Sequence, residues 1–486
     1  MPPKLFFDLY KYKYMGERVR ILVISYGSRA AAVIDALSRS ENYDVRFYVV
    51  DKQRNPFNVK HAEKHVVIPD LDVERICDFV EVNKNEIDFG ICCPEKPIIE
   101  GVRDVIENKT GVAMICPTKR YAIEGSKAMQ RYLLVECCAE ANPRFMVFPR
   151  VEYSNVREVK RAVWEFLDEI GNEVAVKPDK PAAGKGVGVW GDHFTSREQL
   201  FEHFLSISEG GSDVIIEEKM EGEESSFQAF CDGKRISVLP ETRDYKRAFD
   251  ADLGQNTGGM GSYKDNKDWL PFMEERDREK EERLVQKIFK RLRGDGSNEE
   301  LRGMPFYVAF IHTDEGAKIL EINSRPGDPE IQNVLPVLKN DFVDVCFRMI
   351  EGNLSRIECE AKATVVTYAV PMDYGGYRVK YSGDRRVDLS GAYALQERYG
   401  DNLRIYPGSI ELRADGYTYA LGSRTVCTVG VGETIAEARE ISLDGIRNID
   451  GALWNREDIG AEHHIERSVR RRQRRAVSNH SALGFS

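Results

Sequence analysis

Nowhere does the chain run apolar for the roughly 20 residues that a helix needs to cross a bilayer. The opening segment also lacks the unbroken apolar stretch of an export signal, because Lys4, Asp8, Lys11 and Lys13 interrupt its aromatics. The expectation is a cytoplasmic protein with no membrane partner. Histidine is scarce, eight in 486 residues, and His61, His65, His193, His203 and His312 fall at no metal-ligand spacing. Cysteine is present without pattern: ten residues, two adjacent pairs (Cys92-Cys93 and Cys137-Cys138), and no CxxC. These are read as reduced thiols filling a core. An excess of positive charge is missing as well. Seventy basic against eighty acidic residues leave a net charge of −10, a poor surface for coating nucleic acid. Arg467, Arg470, Arg471, Arg472, Arg474 and Arg475 are therefore read as a solvated basic tail, since the acidic remainder would repel a polyanion.

What is present is ordinary for a globular protein, 42% hydrophobic and 31% charged. The length exceeds a single hydrophobic core, so roughly two to four domains are expected. Residues 1–14 are aromatic and basic, and Gly16-Glu17-Arg18 leads straight from Met15 into the apolar run Ile21 to Ile24. Met15 is thus a candidate start, with a loose arm before it.

From 19 to about 118 strands and helices alternate: strand Val19–Ile24, helix Arg29–Ser38, strand Val45–Val50, helix Asp72–Val82, strands Phe89–Cys93 and Ala113–Cys116. That order implies a doubly wound parallel sheet with ligands at the carboxyl ends of its strands. Two turns qualify there, Ser25-Tyr26-Gly27-Ser28-Arg29 and Pro94-Glu95-Lys96-Pro97. A single glycine serves a tight connection as well as a phosphate loop.

Further along, Lys127 opens a helix after Glu124-Gly125-Ser126. Strand Glu173–Lys177 then runs into a loop in which Gly184, Gly186 and Gly188 alternate with Lys185 and Val187. Bare backbone amides can close over phosphates, with Lys185 and Lys177 adding point charges. Val214–Glu218 enters an acidic connection ending in Gly222-Glu223-Glu224, a layout in which backbone groups can read a base and a carboxylate can take a ribose. Asp244-Tyr245-Lys246-Arg247 precedes the glycine-dense Asn256-Thr257-Gly258-Gly259-Met260-Gly261, which permits close backbone approach to a ligand. Finally Ile319, Leu320 and Ile322 make an apolar strand whose Glu321 and Asn323 share the opposite face. Paired oxygen donors of that kind suit Mg2+, which shares its shell with water and phosphates. Arg325 and the turn Asp328-Pro329-Glu330 follow at once.

Taken in order, these segments resemble the phosphoribosylamine-glycine ligase family, ATP-grasp enzymes of purine synthesis, from about residue 19 to 465. The shared pieces are Pro94-Glu95-x-Pro97, Glu124-Gly125-Ser126-Lys127, Ala182-Ala183-Gly184-Lys185-Gly186, Ile216-Glu217-Glu218, Asp244-x-Lys246-Arg247, Asn256–Gly261 and Glu321-x-Asn323-x-Arg325-x-Gly327-Asp328-Pro329-Glu330-x-Gln332. The resemblance implies an α/β fold: an extension over 1–18, a doubly wound domain over 19–118, an ATP-grasp unit over 119–350 with a mobile lobe at about 140–213, a small C-terminal domain over 351–466 and a tail over 467–486. It also implies ATP, Mg2+ or Mn2+, glycine and 5-phosphoribosylamine as what the site takes, with the chain a monomer or weak homodimer.

By residue, it implies metal on Glu321 and Asn323, and ATP on Lys127, Lys177, Gly184, Lys185, Gly186, Glu217, Glu218, Glu224 and Asn256. Reacting groups would be handled by Lys246, Arg325 and Asp328, with Arg325 and Asp328 clamping glycine together. The departures are Ala30 and Ala31 where the family has Glu and His, Ser25 and Ser28 for glycines, Tyr245 for His, Pro326 for Phe, and Ala309 where related enzymes carry a further acidic ligand. Two other readings stay open, an ATP-grasp ligase with a different amine and a nucleotide-binding relative that has lost catalysis.

Overall fold

The computed structural model describes residues 16–150, 155–181, 186–303, 306–378 and 380–483. Gly184, Lys185 and the arm before Met15 lie outside them.

Five parallel strands, β1 (Glu17–Ser25), β2 (Tyr43–Asp51), β3 (Ala62–Val67), β4 (Phe89–Cys92) and β5 (Ala113–Ile115), form a sheet in the order β3-β2-β1-β4-β5. Ile21 and Val23 pack on one face and Leu22 and Ile24 on the other, all fully buried, because helices cover both sides. Here the expected strands and the doubly wound layout are realised. β3 was not anticipated: its sequence, Ala-Glu-Lys-His-Val-Val, carries no alternation because it is a half-buried edge strand.

A second sheet, β6 (Phe145–Phe148), β9 (Val214–Glu218), β7 (Val174–Pro178) and β8 (Gly188–Val189), is antiparallel and forms a small lobe. Helices Val156–Ile170 and Arg197–Glu209 cover it, placing Val163, Phe166 and Leu167 against Phe201 and Phe204.

The central antiparallel sheet runs β11 (Ile236–Val238), β10 (Glu223–Cys231), β16 (Phe306–Thr313), β17 (Gly316–Asn323). Helices Lys127–Cys137 and Glu275–Arg293 pack behind it through Leu134, Leu284 and Ile288. Ala309 pairs with Glu321 but Phe310 with Ile319, so Leu320 is an extra, bulged residue. The bulge corrects the simple strand reading: Ile319 and Ile322, three apart, are both fully buried on the same side, whereas Leu320 is only half-buried.

Three short pieces follow β11 in the chain: β12 (Arg243–Asp244), and the hairpin β13 (Arg247–Phe249) with β14 (Leu253–Asn256). β15 (Gly261–Lys264) pairs with β12 on one side and with β18 (Ala363–Pro371) on the other; β18 continues to Val426–Gly432 and Leu403–Pro407. One sheet therefore spans the boundary placed at residue 350. Gly261 makes it possible, since a Cβ there would lie 2.3 Å from the Val366 carbonyl oxygen.

The basic tail is solvated only in part: Arg470, Arg471 and Arg474 are exposed, as expected, while Arg467 and Arg472 are half-buried. Glu462–Leu483 is a helix, and Arg467, Arg471 and Arg472 reach Asp252, Glu223 and Asp277. The cysteines behave as read: all ten are free thiols and eight are buried.

Candidate active site

In an antiparallel sheet, paired residues point to the same side. Register places Ser226 beside Ala309 and Ala309 beside Glu321, while Tyr307 pairs with Asn323. Glu224, Ser226 and Gln228 therefore share a face with Tyr307, Ala309, Glu321 and Asn323. The turn after β17 is pinned to this face: Gln228 Oε1 accepts from the Gly327 amide at 2.9 Å, and Tyr307 Oη donates to Glu330 Oε1 at 2.6 Å.

Cations converge on Glu321 from four directions. Burial raises its carboxyl, but Lys246, Lys127, Arg325 and Lys177 outweigh that and hold it below its ordinary range. Lys246 comes from the segment between β12 and β13, and its Nζ donates to Glu224 Oε2 at 2.8 Å. Burial opposes the Lys246 charge, yet Glu224 and Glu321 raise its affinity for the proton. Lys127 stands at the first position of helix Lys127–Cys137, capped by Ser126 Oγ on the Met129 amide at 3.1 Å. A cation there opposes the helix dipole, a local cost of the kind retained at sites that bind anions. Burial lowers the Lys127 pKa, partly offset by Glu321.

Glu217 is held by two cations. Arg131 Nε donates to its Oε2 at 2.8 Å, Lys177 reaches Oε1, and the remaining Arg131 donors take the Ile319 and Leu320 carbonyls at 2.9 and 2.7 Å. Through Arg131 its carboxyl therefore ties the lobe to the bulge of β17. Glu218 is likewise held by Arg144, through the amide at 3.1 Å and Nε at 2.8 Å. Glu224 keeps a 40% exposed side chain at the cleft. Asn256 ends β14 opposite Arg247, and the next residue, Thr257, donates its amide to the Lys246 carbonyl at 2.7 Å. Gly186 leads into β8 with φ +81°.

Arg325 and Asp328 have different protein partners. Arg325 lies 3.2 Å from Glu124 Oε1 and 3.8 Å from Glu95 Oε2, and Arg29 adds bonds to the Pro326 carbonyl (2.7 Å) and Glu95 (3.4 Å). Asp328 instead accepts from Tyr368 Oη at 2.7 Å, Gln332 Nε2 at 3.0 Å and Arg424 Nη2 at 3.0 Å. Burial raises the Asp328 carboxyl, but Arg424 and Arg29 bring it below its ordinary value. Two neighbours separated by a turn thus serve two networks, one facing the nucleotide cations and one facing Gly27, which opens helix Ser28–Ser38 with φ +80° and no side-chain cap. Arg424 and Tyr368 escaped the sequence reading because no motif surrounds them.

Gly259 lies where this second network meets the first. With φ +102°, a Cβ would stand 2.6 Å from Asp244 Oδ1 and 2.7 Å from Pro329 Cδ. Gly259→Ala is expected to cost about 1–3 kcal/mol in urea unfolding.

The side chains present fit a divalent ion beside phosphates. Among the described residues the Glu321 and Asn323 side chains make no hydrogen bond, leaving their oxygens available, while Asp244 Oδ1 and Gln228 Nε2 are buried without partners. No cluster of three His, Cys, Asp or Glu suited to a metal occurs among those residues, so an ion here would complete its shell with phosphate and water.

A parallel-sheet domain, a small antiparallel lobe and a central sheet bearing a carboxylate-amide pair among lysines define a protein of the ATP-grasp class. Residues 19–124 match the model described as phosphoribosylglycinamide synthetase, N domain, and residues 144–331 the model for its ATP-grasp (A) domain. The chain belongs to the phosphoribosylglycinamide synthetase family. It is 35% identical over 458 residues to phosphoribosylamine–glycine ligase of Methanocella arvoryzae, covering 93% of this chain and 98% of that protein. The protein of the same name from Methanococcoides burtonii is 35% identical over 455 residues, with the same coverage. Its fold is similar to crystalline phosphoribosylamine–glycine ligase from Thermotoga maritima, with TM-score 0.69, 22% identity, and coverage of 91% of this chain and 100% of that one. It is also similar to the biotin carboxylase domain of Hydrogenobacter thermophilus 2-oxoglutarate carboxylase, in complex with MgADP, ADP and bicarbonate, with TM-score 0.65, 17% identity, and coverage of 90% and 91%.

Proposed function

We propose that this chain joins glycine to 5-phosphoribosylamine, consuming ATP and giving glycinamide ribonucleotide, ADP and phosphate. The observation that carries the reading is the Glu321 carboxylate, held below its ordinary range by Lys246, Lys127, Arg325 and Lys177 and sharing a sheet face with Asn323. A glycine carboxylate is a poor electrophile. Taking the γ-phosphoryl group converts it to an acyl phosphate, which the amine of phosphoribosylamine attacks, expelling phosphate. Phosphoryl transfer asks the protein mainly for alignment and charge neutralisation.

Lys127 and Lys177 attract the phosphates, Lys185 of the glycine loop adds to them, and Lys246 faces the transferred group. Glu224 takes the ribose hydroxyls, and the backbone after Glu218 reads the base. Mg2+ or Mn2+ on Glu321 and Asn323 would screen the phosphate charge when bound. Arg325 receives the glycine carboxylate, and Asp328, near Gly27 and Ser28, orients the amine substrate. Asp328→Asn is therefore expected to raise KM for the amine about tenfold or more while leaving KM for ATP within about twofold, in initial-rate assays. We also place the protein in the cytoplasm as a monomer or weak homodimer, acting on small molecules rather than nucleic acid or membrane.

The test is direct. Purified protein, ATP, Mg2+, glycine and freshly generated phosphoribosylamine are combined, and the product is weighed by mass spectrometry. Glycinamide ribonucleotide is expected, and ADP formed without it would reassign the amine. Ala30 and Ala31, fully buried in the core rather than facing substrate, are the observation favouring that second reading.

A further inference from the structure

Alternation along two neighbouring segments separates the chemistry from its support. On β10, Glu224 faces the cleft and Glu223 the opposite side; on the segment from 243 to 247, Asp244 and Lys246 face the cleft while Arg243 and Tyr245 point away. Two ion pairs therefore link the same two segments. The front one is Lys246–Glu224 at 2.8 Å, with side chains 30% and 40% exposed; the rear one is Arg243–Glu223 at 2.6 Å, 13% and 3% exposed. A ribose taken by Glu224 would share its carboxylate with Lys246, so the front pair is the one that nucleotide perturbs. The rear pair is the link that stays.

The C-terminal segment closes over that rear pair. Ser468 Oγ accepts from Arg243 Nη1 at 2.7 Å, and Arg471 Nη1 lies 3.6 Å from Glu223 Oε1. Tyr245 Oη accepts from the Gly460 amide at 3.3 Å, with the Arg456 guanidinium 4.8 Å from its ring centre. Arg456, fully buried, donates to the Arg247 carbonyl at 3.0 Å. Residues 243, 245 and 247 are thus each held from behind by residues between Arg456 and Arg471. Single surface pairs such as Arg471 with Glu223 contribute little, so the weight rests on Arg243, whose side chain is 13% exposed.

We propose that Arg243 is a positioning residue for the nucleotide site, and that the helix from Glu462 is the backstop through which it holds Lys246 and Glu224 at their working separation. The proposal rests on the reading of Lys246 and Glu224 as nucleotide contacts.

Three measurements test it: calorimetric binding of a non-hydrolysable ATP analogue with Mg2+, KM for ATP and for glycine, and Tm. Arg243→Ala is expected to weaken analogue binding and raise KM for ATP about tenfold, with KM for glycine unchanged. Arg243→Lys, which keeps the charge, is expected to recover most of the loss. The double variant Ser468→Ala, Arg471→Ala, which touches only the helix, is expected to weaken binding about threefold and serves if Arg243→Ala fails to fold. Analogue binding by Arg243→Ala equal to wild type overturns the inference alone, as does a loss shared equally by ATP and glycine that Lys does not rescue. Wild-type protein that binds no analogue overturns it together with the functional reading beneath it.

Discussion

Replacing Glu321 by Gln is expected to lower turnover by about a thousandfold and to leave a folded protein. The substitution keeps the shape of the side chain and removes its charge. In the native site that charge balances four cations, and the oxygens bearing it make no hydrogen bond among the described residues. With an amide in its place, Lys246, Lys177 and Arg325 keep Glu224, Glu217 and Glu124, but the carboxylate that all four cations share is gone. A divalent ion also loses its one charged protein ligand from the pair on β17. ADP release measured with glycine and excess Mg2+ checks the expectation, alongside circular dichroism for the fold. Turnover near the wild-type level would remove Glu321 from the assignment.

The second large effect is on stability. Arg131 and Glu217 are each 3% exposed, and Arg131 also satisfies two carbonyls at the β17 bulge. Arg131→Met leaves the buried carboxylate with Lys177 alone and takes the donors from two carbonyls, a change expected to cost about 3–5 kcal/mol in denaturant unfolding. The pH dependence carries a signature. Burial raises the Glu217 carboxyl, but Arg131 and Lys177 pull it to about 2, against 4.5 ordinarily. A depressed pKa contributes stability that is present above the ordinary value and disappears as pH falls from about 4.5 toward about 2, worth about 3 kcal/mol. In the Met variant this contribution is reduced, so acid unfolding begins at higher pH. An unchanged acid limb would show that Lys177 alone holds the charge.

Local pattern made much of this molecule readable before its coordinates. The apolar run Ile21–Ile24 predicts a strand buried on both faces, and the spacing of Glu321 and Asn323 puts both on one face, as found. What escaped is what joins distant segments. Nothing near Glu217 tells that its charge meets Arg131, 86 residues away. Nothing near Asp328 points to Arg424, and adjacency to Arg325 does not tell that the two have different protein partners. The arginines after 466 read as a tail because composition reports charge and not the acidic partners that fold against it. Leu320 shows the same limit on a smaller scale, since a bulge breaks the period of two from which faces are inferred.

The pairing of β15 with β18 runs over four residues, from Gly261 with Thr367 to Lys264 with Thr364. Suppose the gene were split near codon 350 and the two polypeptides made separately. Each would carry a naked strand edge in want of the other, and they would recombine by zipping those edges together rather than persist as autonomous units. Complementation between such halves would be all or none, because the cleft wall bearing Tyr368 and the strand after Met260 are one fabric.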